Sequence, residues 1–101
     1  MENNEKIQNI TYSVGEGLTA NNISRFSDEC ESLFNQENQF EEFVLDLGQT
    51  ENIDSAGVTF VISLFKKIKA MEKSFKVTGA NEEVQSLFVL MKLDKFFTME
   101  N

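Results

Sequence analysis

Val44-Leu45-Asp46-Leu47-Gly48-Gln49-Thr50-Glu51-Asn52-Ile53-Asp54-Ser55-Ala56-Gly57-Val58 runs from an apolar strand through a short polar loop to the mouth of an apolar helix. The nearly continuous apolar run over 43–47 predicts a strand covered on both faces. The apolar spacing over 57–71 predicts a helix, so the stretch is one βα unit. Its loop places a single hydroxyl, Ser55, where the helix begins, with Asp54 before it and Gly57 two residues after. A phosphate on Ser55 would meet the free N–H groups and positive dipole end of that helix, while Asp54 would repel it. This combination suits a switch better than a catalyst. The same residues also have plainer uses. Ser55 or Asp54 can act only as a helix cap, Asp46 only as a strand end, and Gly57 only as a point of close helix–sheet packing. From the residues alone both uses stay open.

Working outward, two further βα units flank the first. Apolar and β-branched residues over 7–14 predict a strand, and residues 1–6 are polar and read as a loose N-terminus. Gly15-Glu16-Gly17 breaks the strand, and Thr19 or Asn21 is a candidate cap for a helix running to about residue 35. Ile23, Phe26, Cys30, Leu33 and Phe34 form its apolar stripe, with Cys30 as a small buried core residue. The segment 35–39 is a polar connection. Alternation over 74–79 predicts a strand, and Asn81 caps a third helix with Glu82 and Glu83 at its positive end. Val84, Leu87, Phe88 and Met91 form that helix's apolar face, and residues 96–99 can add an edge strand. The order βα-βα-βα-(β) implies an α/β fold. It should be a single domain over 7–101, with a small, mostly parallel sheet of four or five strands and three or four helices mainly on one face.

A helical wheel sharpens the second helix. At about 100° per residue, Phe60, Val61, Leu64, Phe65, Ile68 and Met71 share one wide face, enough for a core contact. The opposite side collects Ser55, Thr59, Ile62 and Lys66, with Val58 on its flank. Ile62 is either a lone exposed apolar residue, which is common, or an anchor for a partner. In the second case Val58 and Ile62 form a small apolar patch beside Ser55.

Composition removes several function classes. Ten Phe and 41% hydrophobic residues in 101 argue for a packed globule. A net charge of −8 without a basic cluster argues against nucleic acid and anionic membrane surfaces and favours a basic protein partner. With no His there is no Ser-His-Asp arrangement, imidazole base or His metal ligand. No catalytic residue, metal or cofactor is expected. Asp46, Glu51 and Asp54 could form a carboxylate cluster, but loop solvation explains them more simply. The single Cys30 excludes an internal disulfide and fits a reducing cytoplasm. No signal-peptide pattern and no 18-residue apolar run are present, so a cytoplasmic domain without membrane insertion is expected.

A strand ending in Leu45-Asp46-Leu47, a short connection, and Asp54-Ser55-Ala56-Gly57 opening an apolar helix closely resembles the signature of STAS domains. Within them it looks most like the bacterial anti-sigma-factor antagonists. Gly15-Glu16-Gly17-Leu18-Thr19-Ala20 is similar to that family's segment before the first helix. Lys76-Val77-Thr78-Gly79-Ala80-Asn81, with Val84, Leu87, Phe88, Leu93, Phe96 and Phe97, resembles its third strand, third helix and closing turn. The resemblance implies that Ser55 is a phosphoacceptor and that Asp54, Ala56 and Gly57 shape its loop. It also makes the start of the second helix a docking surface, for which Thr19, Asn21, Val58, Thr59, Ile62 and Lys66 are the candidate partner-binding residues. The implied partners are an anti-sigma factor that is also a serine kinase, and a PP2C-type phosphatase. The other role the resemblance allows is a constitutive STAS subunit of a transporter ATPase or a larger signalling complex.

Overall fold

The computed structural model describes residues 9–36 and 40–100. Three βα units and a closing strand follow one another: β1 (Asn9–Ser13), α1 (Ile23–Gln36), β2 (Glu42–Asp46), α2 (Ser55–Ala70), β3 (Ser74–Thr78), α3 (Glu82–Leu90), a 3-10 turn (Leu93–Lys95) and β4 (Thr98–Glu100). The strands lie side by side in the order β1-β2-β3-β4, every pair parallel. With sequential order, right-handed crossovers put all three connecting helices on one face of the sheet. This matches the expected α/β architecture. The loose terminus foreseen over 1–6, the first two residues of the strand foreseen over 7–14, and residues 37–39 of the polar connection lie outside the described residues.

Side-chain alternation divides the sheet faces. Register aligns Ile10 with Phe43 and Phe75 in one row, and Tyr12 with Leu45, Val77 and Met99 in the next. Both rows point to the helices, where Phe26, Cys30, Phe34, Val61, Leu64, Ile68, Val84 and Phe88 complete the core. Each fully buried Phe or Leu there contributes about 1.5–3 kcal/mol. The other face is polar. Thr11 and Lys76 flank Val44, and Lys76 reaches Glu42 (3.8 Å) and Glu100 (3.4 Å). The apolar run over 43–47 is therefore not a strand covered by helices on both sides. Phe43 and Leu45 face the helices, while Val44 is buried on the polar face among its cross-strand neighbours.

Helix ends follow their caps. Among the described residues neither the Thr19 nor the Asn21 side chain caps α1; the Thr19 carbonyl instead accepts Asn22 and Ile23 N–H. Asn22 precedes the first turn; its carbonyl accepts from Phe26 N–H and its amide Nδ2 donates to Gly17 O (2.8 Å). At the far end of α2, Glu72 adopts the left-handed region (φ 63°). From there Glu72 N–H bonds Lys69 O and Lys73 N–H bonds Ile68 O, two bonds that satisfy orphan helix carbonyls. Lys92 (φ 62°) closes α3, its N–H bonding Val89 O. That closure ends α3 at Leu90, so Met91 is the exposed C-cap and not part of the buried face over Val84 and Phe88.

Candidate functional site

Parallel strands deliver their following loops to one edge of the sheet, the edge where α/β folds bind their ligands. Here the loops after β1 and β2 and the start of α3 meet. Leu18 N–H donates to Asn52 O (3.0 Å) and Asp54 N–H donates to Leu18 O (3.1 Å), a two-bond parallel bridge between Leu18 and Ile53. The N-terminus of α2 rests on this bridge. Gly57 is what lets it: a Cβ there would stand 2.7 Å from Ile53 Cγ1 and 2.9 Å from Leu18 Cβ, and well inside contact with the Leu18 carbonyl oxygen. The close packing expected at Gly57 is thus against loop backbone.

Asp54 is the cap of α2. Its Oδ1 accepts Gly57 N–H (2.9 Å), and its Oδ2 accepts Ala20 N–H (3.0 Å) from the loop after β1. The Ala20 N–H first, and the Gly57 N–H after it, hold this exposed carboxyl below the usual carboxylate range. One carboxylate therefore caps a helix and ties together backbone 34 residues apart. Because Asp54 is the cap, Ser55 is not. Ser55 is the first residue of α2 and exposed; its carbonyl accepts the Thr59 hydroxyl (3.0 Å), and no hydrogen bond engages its own Oγ among the described residues. Ala56 is half-buried behind it.

Ser55, Thr59, Ile62 and Lys66 form one stripe on α2, with Thr59 and Lys66 exposed and Ile62 half-buried against the core. Val58 departs from the expectation. It is 4% exposed and belongs to the core, so the apolar patch foreseen from Val58 and Ile62 reduces to Ile62. Val58 lies off the sheet-facing side of the wheel, but the first turn of α2 packs on the Leu18–Ile53 bridge as well as on the sheet. Asn21 is exposed and Thr19 half-buried on the segment that Asp54 holds through Ala20.

Two braces of this loop escape a sequence reading. Thr50, 3% exposed, donates its hydroxyl to Glu16 O (3.1 Å) and lies 3.5 Å from Val14 O. Asn81 caps α3 by accepting Val84 N–H (2.8 Å), while its amide donates to Glu51 O (3.2 Å) and Thr50 O (3.4 Å). The cap was legible from its position before Glu82 and Glu83; the tie to the loop was not. Asp46 does separate work: it accepts Ser13 Oγ and Gly48 N–H, both at 2.9 Å. Asp46 and Asp54 are thus each engaged locally, and among the described residues no group of three acidic or cysteine side chains could hold a metal.

A family model described as the STAS domain matches residues 1–101. Among solved structures, the chain is similar to a Thermotoga maritima protein assigned as an anti-sigma factor antagonist. That likeness has 19% identity and a TM-score of 0.77 over 92% of this chain and 79% of that one. It is similar to the anti-sigma factor antagonist SpoIIAA in its unphosphorylated form, with 10% identity and a TM-score of 0.70 over 98% and 86%. A sulfate transporter family protein from Wolinella succinogenes is also similar, at 8% identity and a TM-score of 0.73 over 90% and 75%. At these identities the likeness is one of fold. No curated protein matches the chain in sequence.

Proposed function

The chain belongs to the STAS domain family, and from that membership we propose that it is a protein-binding module of the anti-sigma-factor-antagonist kind, switched by phosphorylation of Ser55. The observation that carries this reading is the division of labour at the start of α2. Asp54 does the capping, which leaves Ser55 exposed with a hydroxyl that no other group engages among the described residues. The plainer use of Ser55, as a cap, is already taken by its neighbour. Thr59, Ile62 and Lys66 on the same stripe, with Thr19 and Asn21 across the Asp54 tie, are the surface a partner would cover.

Phosphorylation adds about −1.5 to −2 charges to a chain at −8, next to a carboxylate held in its ionised form. A partner closing over Ser55 would then have to desolvate that charge, so affinity falls without any refolding. The partner in this reading is an anti-sigma factor with serine-kinase activity. A PP2C-type phosphatase resets the switch, and the domain itself does no catalysis. The test is incubation with such a kinase and ATP: the parent takes up phosphate and Ser55→Ala does not. Ser55→Glu loses about 2 kcal/mol or more of partner binding, roughly thirty-fold, while Ser55→Ala binds as the parent does. Equal labelling of Ser55→Ala refutes the assignment.

A second reading, a constitutive STAS subunit of a transporter ATPase or a larger complex, draws support from the Wolinella likeness, whose TM-score matches that of the antagonists. Among the described residues no helix is long and apolar enough to cross a membrane. Recovery of an ATPase bound to a chain with unmodified Ser55 would favour it.

A further inference from the structure

We propose that the outer face of α3 is a homodimer interface, on which a second copy of this chain packs antiparallel about a two-fold axis. While α3 buries Val84 and Phe88, it leaves Val89 52% and Leu90 77% exposed, and the chain returns after the 3-10 turn with Phe96 60% exposed. These are not scattered residues. Val89 lies in two adjoining concavities, one shared with Glu82, Ser86 and Leu90 and the other with Lys95, Phe96 and Met99, so the apolar surface is continuous from α3 to the edge strand β4. Val89, Leu90 and Phe96 thus form a contiguous exposed apolar patch, a kind of surface that often serves as an interaction site.

Charge decides the occupant. Copies of a chain at −8 repel one another, yet the segment 89–100 balances Lys92 and Lys95 against Asp94 and Glu100. The balance is also ordered along the helix: exposed Glu82 and Glu83 stand at the start of α3, and exposed Lys92 and Lys95 follow its end. An antiparallel pair sets each acidic start beside the other copy's basic end. Two-fold symmetry then repeats the match at both ends, as an isologous interface requires. A parallel pair would set acid against acid.

One helix face and a turn make less than a standard interface of about 800 Å² per partner, so the dimer should form in the micromolar range, between about 1 and 100 µM. Sedimentation velocity of the full chain across that range tests it. A reversible dimer is expected, lost in Leu90→Asp and in Phe96→Asp while circular dichroism stays that of the parent. Glu82→Lys alone and Lys95→Glu alone should each weaken dimerisation about ten-fold, and the two together should restore most of it. A chain that stays monomeric throughout, or a dimer indifferent to Leu90→Asp, overturns the proposal. Failure of the combined reversal to restore dimerisation overturns the antiparallel arrangement. A monomer that instead pellets with phosphatidylglycerol vesicles through Leu90 overturns it in favour of a lipid surface.

Discussion

Replacing Gly57 by alanine sets two effects of opposite sign against each other. Within a helix Ala is favoured over Gly by about 1 kcal/mol. At this position the added methyl falls 2.7 Å from Ile53 Cγ1 and 2.9 Å from Leu18 Cβ, and inside contact with the Leu18 carbonyl oxygen. Ile53 can change rotamer. The Leu18 carbonyl cannot yield, because it accepts Asp54 N–H at 3.1 Å while Leu18 N–H is held by Asn52 O at 3.0 Å. Relief therefore needs the start of α2 to step off the bridge. Over-packing costs about 1–3 kcal/mol, and a lost hydrogen bond about 1 kcal/mol more. After the propensity gain is subtracted, Gly57→Ala should be destabilised by about 2 kcal/mol. In a domain of this length that lowers Tm by roughly 10 °C and the urea midpoint by about 1 M, both measurable by circular dichroism. A Gly57→Ala variant as stable as the parent, or more so, would refute the claim that α2 is seated on the Leu18 backbone.

Other outcomes follow from the same contacts. Because Asp54's folded pKa is depressed, the stability it contributes is fully present above the ordinary carboxylate value of about 4 and is lost as pH falls through the folded value. The stability gap between the parent and Asp54→Asn should therefore be widest near neutral pH and shrink in acid, and denaturation curves showing a pH-independent gap would contradict this. Thr50→Val keeps the shape of a buried side chain but removes the hydroxyl bonded to Glu16 O. It should lose about 1 kcal/mol in urea denaturation, with Thr50→Ser losing less; no loss in Thr50→Val would mean the bond is idle. Glu72→Gly should be more stable than the parent by about 1 kcal/mol by thermal melt, since glycine accepts the left-handed conformation that Glu72 now adopts at φ 63°.

What a sequence reveals here depends on how local the cause is. The strands and helices announce themselves through period-2 and period-3.6 apolar spacing, and Phe26, Cys30, Phe34, Val61, Leu64 and Ile68 are all in the core where that spacing puts them. Asp54 and Asn81 are legible as helix starts because a cap acts within three residues. Val58 is not legible as core: a wheel assumes one packing surface, and α2 has a second in the Leu18–Ile53 bridge. The same holds for Thr50, a threonine in a polar loop whose burial comes from backbone 34 residues away. Met91 follows the apolar period of α3, but the left-handed turn at Lys92 ends the helix before that period can matter. Ser55 was marked by its neighbours, whereas its freedom from the capping role depends on which of two adjacent side chains reaches Gly57 N–H.

The tie from Asp54 to Ala20 makes the geometry around Ser55 a property of the finished fold. Within the peptide 53–58 alone, the Asp54 carboxylate has no Ala20 amide to hold, and nothing fixes where the first turn of α2 points. An enzyme that recognises this shape would ignore nascent, misfolded or proteolysed copies carrying the same six residues. Modification of Ser55 would then count only molecules already able to bind, so the amount of modified chain would measure the competent population and not total synthesis.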